Sequence, residues 1–297
     1  MPSSTAKKIA FLGGGMREVE LAKALIAAGF TVSVSGLSPV GQLRVPTCLP
    51  EEAVCDAIAL ILPVSGVHSD GRIKEISDEN AIIITKELLV QLVPGAIVIV
   101  GKGNPYLGEL CDELGFKLLE LTEDDEFAIL NSIPTAEGAL VVAIESSIIT
   151  LHGSNAFILG FGRCGRAIAR MLQGIGARVH VVERNPAKRA MAVEMGLTAI
   201  PFTNLKETLV PADFIFNTVP SLVLTTEVME TLHSHVVIVD IASGPGGVDF
   251  AAAKALGIQA ILAQGLPGKY APLTAGQILA KIVPDKITEA LNIGSGR

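Results

Sequence analysis

The sequence predicts an α/β protein built from two Rossmann-like parallel-sheet domains. Three observations carry that prediction. Short apolar runs alternate with helix-patterned segments along nearly the whole chain, which is the pattern of strand–helix–strand units. A Gly-x-Gly-x-x-Gly run, Gly160 to Gly165, lies between one such strand and one such helix. The 297 residues suffice for about two domains with a core each.

The first half opens with a strand at Lys7–Gly13, turned by Gly13-Gly14-Gly15, and a helix from Met16 to Ala28 closed by Gly29. Further strands are expected at Thr31–Ser35, Ala57–Leu62, Ala81–Ile84, Ala96–Val100 and Lys117–Leu121, with helical segments between them. Right-handed crossovers make this a parallel sheet covered on both faces. The glycines at 13–15 lack the full fingerprint, so no second dinucleotide is expected there. Asn131-Ser-Ile-Pro134-Thr-Ala-Glu137-Gly138 then precedes an apolar helix over Ala139–Ile149, with Pro134 suited to its first turn.

The second half centres on Asn155–Leu172. Asn155-Ala-Phe-Ile-Leu159 reads as a buried strand, and Ile168, Met171, Leu172 and Ile175 mark one apolar helix face. Between them Gly160 permits a tight turn, Gly162 admits a pyrophosphate close to the backbone, and Gly165 brings helix and sheet together. Arg163 and Cys164 share that loop. The next strand, Arg178–Val182, ends in Glu183, about 20 residues past the glycines, where a ribose-binding acid is expected. Glu183 argues for NAD, and Arg184 beside it argues for NADP; the residues leave both open. A helix over Pro186–Met195 follows, with strands at Asp213–Asn217, Val236–Asp240 and Ile258–Leu262. A helix over Thr274–Val283 is broken or restarted at Pro284, and Gly294–Arg297 is expected to be loose.

The domain boundaries implied are residues 1–133 with a helical tail, 274–297, packed back on them, and a nucleotide-binding domain over 134–273 with its leading crossover helix. The formal net charge of −7 argues against nucleic acid or an anionic membrane surface as partner. Charged residues are only 18% of the chain, which hints at surface covered by another chain, hence an oligomer. The four cysteines form no C-x-x-C pair and have no histidine cluster beside them, so no metal site is expected and the thiols read as reduced. No signal-peptide pattern precedes the first strand. The longest uncharged apolar stretch, Leu88–Gly101, is too short to span a bilayer.

Ligand chemistry is expected in the polar, glycine-rich turns after strands. The first domain offers Arg17, Ser65 and Gly66, with Lys102 and Asn104-Pro-Tyr106 nearby. The crossover offers Asn131, Ser132, Thr135, Glu137 and His152, and the second domain Asn217, Ser221, Ser243 and Lys269. Arg17 suits a carboxylate, which a guanidinium binds in bidentate fashion. His152 and Glu137 are the candidate bases, although a carboxylate at a helix start is favoured by the dipole anyway. The cofactor set is Gly160, Gly162, Arg163, Cys164, Gly165, Glu183, Arg184, Thr218, Val219, Pro220 and Ser243.

Several longer runs together are more specific than the glycine fingerprint. They are Ile61-Leu-Pro-Val-Ser-Gly66, Asn104-Pro-Tyr106, Asn131-Ser-Ile-Pro-Thr135 with Glu137-Gly138, and His152-Gly-Ser-Asn155. They continue as Asn217-Thr-Val-Pro-Ser-Leu-Val-Leu224, Asp240 with Pro245-Gly-Gly247 and Asp249-Phe250, then Gly265-Leu-Pro-Gly268 with Ala271-Pro272 and Thr274-Ala-Gly276. On these the chain resembles the dipicolinate synthase A-subunit family, the dehydrogenase-like component from spore-forming bacteria, over about residues 7–283. Arg17 falls where that pattern has arginine. The resemblance implies a build like that of the formate/glycerate dehydrogenases. It also implies NADP- or NAD-dependent oxidation of dihydrodipicolinate to dipicolinate, with NADP slightly favoured, in the cytoplasm of the sporulating mother cell. A flavoprotein-like second subunit is implied as partner. Arg17, Ser65 and Ser221 would take the two substrate carboxylates, helped by N–H donors at a helix start near Thr135. Two positions depart from the family pattern: Glu183 stands where a small residue is expected, and Gln264 where proline is. The competing readings are a two-domain dehydrogenase acting on another small carboxylate, and a non-catalytic dinucleotide-binding subunit.

Overall fold

The computed structural model describes residues 7–38, 43, 45–74, 81–244 and 246–291. The chain divides into two compact units, Met1–Leu130 with Ala271–Arg297, and Asn131–Tyr270.

The first unit contains β1 (Lys8–Leu12), α1 (Met16–Ala27), β2 (Thr31–Ser35), α2 (Pro50–Val54), β3 (Ala59–Ile61), α3 (Lys86–Leu89), β4 (Ile97–Val100), α4 (Pro105–Leu114), β5 (Lys117–Glu120) and the start of α5 (Asp125–Glu145). Its five strands are parallel in the order β2-β1-β3-β4-β5, a doubly wound order whose switch point lies between β1 and β3. Alternation along β1 shows why both faces are covered. Ile9 and Phe11 enter one core with α1, while Ala10 and Leu12 enter another with Leu107 and Cys111 of α4.

The second unit contains β6 (Asn155–Leu159), α6 (Arg163–Ile175), β7 (Arg178–Val182), α7 (Pro186–Glu194), β8 (Thr198–Ile200), α8 (Leu205–Thr208), β9 (Phe214–Asn217), α9 (Thr226–Met229), β10 (Val237–Asp240), α10 (Phe250–Ala255), β11 (Gln259–Leu262) and α11 (Leu266–Tyr270). Its order, β11-β10-β9-β6-β7-β8, is all parallel and reverses direction beside β6. That is the dinucleotide-fold order. Ala156 and Ile158 face one core and Phe157 and Leu159 the other.

Four local expectations are corrected. Ala81–Ile84 is not a sheet strand; Ile83 makes only an isolated bridge to Arg72. The short edge strand β8 is an addition to the expected set. α5 does not begin near Pro134 but at Asp125, because Asp124 Oδ1 accepts the Phe127 N–H at 2.9 Å and Phe127 is buried in the first core. Pro134 and Thr135 are therefore mid-helix, and Glu137 is not at a helix start. An interior proline costs about 3 kcal/mol. Burying Leu140 and Val142 offsets roughly that much at ~25 cal/mol per Å². Thr135 turns its hydroxyl back to the Asn131 carbonyl at 2.7 Å.

Pro284 likewise does not end a helix. α12 (Pro272–Ala290) runs through it, because Leu279, Ile282, Val283 and Ile287 bury against Val19, Leu21 and Leu25 of α1. Gly276 makes that approach possible: a Cβ there would lie 2.6 Å from Glu20 Cβ. Gly294–Arg297 lies outside the described residues. α5 is long and apolar enough to cross a membrane by length and composition, yet Phe127, Ala136, Ala139, Leu140 and Ala143 are buried in the two protein cores.

Candidate dinucleotide and carboxylate sites

The β6–α6 turn gives each glycine of the fingerprint a separate physical reason. Gly160 has φ +89°, and a Cβ there would lie 2.4 Å from Thr218 Oγ1. The turn after β6 thus touches the turn after β9, and Thr218 donates its hydroxyl to the Leu159 carbonyl at 2.9 Å. A Cβ at Gly165 would lie 2.2 Å from the Gly160 carbonyl oxygen, so only glycine lets α6 sit this close. At Gly162 a Cβ would meet nothing within 4 Å. Gly162 is also the N-cap of α6 and supplies no side-chain acceptor. A 13-residue helix therefore presents its first-turn N–H groups and positive dipole end to open space. That is the form of a pyrophosphate site, and these residues fit a dinucleotide.

Cys164 lies in the same turn, where burial pushes its thiol up from the ordinary range against the opposing effect of Arg163.

Glu183 ends β7 and is 5% exposed. Its Oε2 accepts the Phe161 N–H at 2.8 Å and its Oε1 the Asn185 N–H at 2.9 Å. Burial raises the carboxyl pKa, but those two donors, with the Lys188 charge and the Arg184 N–H, together outweigh it and hold the group below the usual range. Both oxygens are engaged with the chain's own backbone, so the expected ribose acid first serves to tie the glycine turn to β7. Beside it Arg184 is exposed. Arg189 is committed to the Glu183 and Arg184 carbonyls at 2.9 and 2.8 Å.

A fully buried pair shapes the other side of the turn. Asn217 and Asp240 end β9 and β10 in register, and both are 0% exposed. Asn217 Nδ2 donates to Asp240 Oδ1 at 2.9 Å and to the Val219 carbonyl at 3.0 Å, while its Oδ1 accepts the Val219 N–H at 3.1 Å. Asp240 also accepts the N–H groups of Ala242 at 3.1 Å and Gly247 at 2.8 Å. Thr218, Val219, Pro220 and Ser221 thus ride on Asn217, and Ser243 on Asp240. Pro220, Ser221 and Ser243 are exposed.

In the first unit a second cluster stands at the switch point. Glu18 is 1% exposed; its Oε2 accepts the Gly15 N–H at 2.8 Å and its Oε1 the Val64 N–H at 3.1 Å. A Cβ at Gly14 would lie 2.7 Å from Glu18 Cγ. The protein's own side chain thus fills the glycine turn, which accounts for the missing second fingerprint. Arg17 is 7% exposed, with Nε 3.9 Å from Glu18 Oε1. A buried cation at the positive end of a helix is unfavourable without anions nearby. Across the switch point the buried Ser65 Oγ has no hydrogen-bond partner among the described residues. Gly66, at φ +83°, lets the turn pack on the Lys102 carbonyl.

The remaining candidates fall elsewhere. His152 precedes β6, at the end of the sheet opposite the glycine turn, and its Nδ1 bonds the Ile175 carbonyl at 2.8 Å. It holds the end of α6. Glu137 is exposed in the body of α5, with Asn131 and Thr135 half-buried and Ser132 buried on the same helix. Lys269 lies in α11 rather than in a loop, with its ammonium 4.8 Å from the Tyr270 ring centre. Asn104 caps α4 and Tyr106 donates to the Ile84 carbonyl, both structural roles. Among the described residues no group of acidic, histidine or cysteine side chains could hold a metal. Sequence reading missed Glu18 and singled out Asp240 only through the family pattern. The signals that could have found them were an acid three residues after a glycine turn and a lone charge closing an apolar strand.

Two family models match the chain. Residues 8–122 match the N-terminal domain of the dipicolinate synthase A-subunit. Residues 136–266 match the D-isomer specific 2-hydroxyacid dehydrogenase NAD binding domain. The chain is 36% identical to the dipicolinate synthase A-subunit of Bacillus subtilis (strain 168), covering 96% of this chain and 97% of that protein. The crystal structure of the dipicolinate synthase A-subunit from Bacillus halodurans superposes with a TM-score of 0.88 at 34% identity, over 95% of this chain and 97% of that one. The crystal structure of its Bacillus subtilis counterpart superposes with a TM-score of 0.87 at 35% identity, over 97% and 98%.

Proposed function

The chain belongs to the dipicolinate synthase A-subunit family, and on that premise we propose that it oxidises dihydrodipicolinate to dipicolinate, pyridine-2,6-dicarboxylate, with a nicotinamide dinucleotide. The observation that carries the reading is the uncapped start of α6 over Gly162, beside the turn that follows β9. The substrate class rests on Arg17 and Ser65, a buried cation and a buried hydroxyl at one switch point, matched to a carboxylate. When bound, the nicotinamide accepts a hydride; the substrate also gives up one proton, and its ring becomes aromatic.

The chain's own part is to bind and orient. The first turn of α6 holds the pyrophosphate, and Thr218, Val219, Pro220 and Ser243 border the nicotinamide half. Arg17 and Ser65 hold a substrate carboxylate. Aromatisation favours proton loss, so a strong base is not required, and neither the exposed mid-helix Glu137 nor His152 is assigned that task. NADP is the preferred cofactor, because both Glu183 oxygens are taken by backbone N–H groups while Arg184 stands exposed next to them. The enzyme works in the mother-cell cytoplasm as an oligomer, with a flavoprotein-like second subunit.

The test is to mix the purified chain with freshly generated dihydrodipicolinate and NADP or NAD separately. The dipicolinate and reduced-nicotinamide absorbance bands should rise together, faster with NADP. No acceleration over the enzyme-free control, with cofactor bound, would overturn the proposal in favour of a non-catalytic subunit.

A further inference from the structure

Asp240 carries a buried charge for which the described residues provide no counter-cation. All three of its partners are donors: the Asn217 amide and the Ala242 and Gly247 N–H groups. An acceptor-only carboxylate is the ionised form. Such a group is stabilised by hydrogen bonds but still benefits from a positive charge close by. Its place in the sheet indicates which charge. With the pyrophosphate at α6 and the adenosine ribose toward β7 and Glu183, a dinucleotide crosses the switch point between β6 and β9. Its nicotinamide half then lies toward the turns after β9 and β10, which Asn217 and Asp240 hold.

We propose that Asp240 sets the redox preference of the site: its charge favours the oxidised, cationic nicotinamide over the reduced, neutral one. The inference rests on the dinucleotide reading above. It makes chemical sense for an oxidation that ends in an aromatic ring. The substrate loses a hydride to the nicotinamide and a proton to water, and aromatisation supplies driving force to spare. Tighter binding of the oxidised cofactor lowers its tendency to accept hydride, which this reaction tolerates, and it helps the reduced product leave.

Binding can be measured by calorimetry without substrate, using NADP+, NADPH and, as a probe of the adenosine half, adenosine 2′,5′-bisphosphate. The wild type should bind NADP+ at least as tightly as NADPH. Asp240→Asn should leave the bisphosphate affinity within about two-fold and weaken NADP+ relative to NADPH by about ten-fold, the scale of one unit charge at the reach of adjacent turns. A purely structural role would weaken both forms alike, and an unchanged ratio overturns the proposal. So does a wild type that prefers NADPH by more than about ten-fold, a result that decides the matter even if Asp240→Asn fails to fold. If the wild type binds the bisphosphate and both dinucleotides without the expected ratio, only this inference fails. If it binds none of the NADP probes or their NAD counterparts, the dinucleotide reading fails with it.

Discussion

Glu18 and Val64, 46 residues apart in sequence, are joined by a 3.1 Å hydrogen bond from the Val64 N–H to the Glu18 carboxylate. With its second bond to the Gly15 N–H at 2.8 Å, this one side chain ties together the two turns that flank the first sheet's switch point. Glu18→Ala leaves the Gly15 and Val64 N–H groups without their acceptor and removes the carboxylate beside the buried Arg17. We expect a loss of about 3 kcal/mol in urea unfolding of the first unit. A loss under about 0.5 kcal/mol would show that the bridge is dispensable.

Gly162 and Gly165 separate ligand binding from folding. A Cβ at Gly165 meets the Gly160 carbonyl at 2.2 Å, whereas one at Gly162 meets nothing within 4 Å. Gly165→Ala should lower the melting temperature and weaken dinucleotide binding together. Gly162→Ala should leave melting of the free protein almost unchanged and weaken binding at least ten-fold, roughly 1.4 kcal/mol. Normal affinity in Gly162→Ala would remove the pyrophosphate from this helix start.

Arg17 is predicted to act on substrate and not on cofactor. Arg17→Met should raise the KM for the dicarboxylate by about ten- to a hundred-fold, the worth of a charge-assisted bond or two, with dinucleotide affinity unchanged. Steady-state kinetics alongside cofactor titration reads both quantities, and an unchanged KM would send the carboxylate elsewhere.

Acid should loosen the second unit through Glu183. Burial raises its folded-state pKa, but the Asn185 and Phe161 N–H donors, the Lys188 charge and the Arg184 N–H together depress it. The stability it contributes is therefore complete above the unfolded value of about 4.3 and is lost as pH falls through the lower folded value. Denaturant titrations between about pH 6 and 3 should show this decline. Glu183→Gln should be less stable near neutrality and flatter below about pH 4.3. A variant with the wild-type slope would show that Glu183 takes no part in it.

The glycine fingerprint was legible in the sequence because its reasons are local. A turn at φ +89°, an uncapped helix start and a close helix–sheet contact all lie within a few residues of one another, and glycine serves each. The boundaries of α5 were not legible. Pro134 and Glu137 imitate a helix start, and only the Asp124 cap with the burial of Phe127 reveals that the helix began nine residues before Pro134. α12 runs through Pro284 for the same kind of reason, since its packing against α1 outweighs a local breaker. The tie from His152 Nδ1 to the Ile175 carbonyl was not legible either, because it joins residues 23 apart that only the packing of α6 on β6 brings together.

The sequence by itself determined the α/β class, the doubled alternation of strands and helices, the position of the dinucleotide turn and the family. All of these follow from periodicity, glycine spacing and motif runs along the chain. Only the tertiary structure decided what the acids do. Glu18, Glu183 and Asp240 each satisfy backbone N–H groups of turns at the strand ends. Such roles depend on which N–H groups the fold leaves without a partner, and that is settled only once the strands are in register and the turns lie side by side.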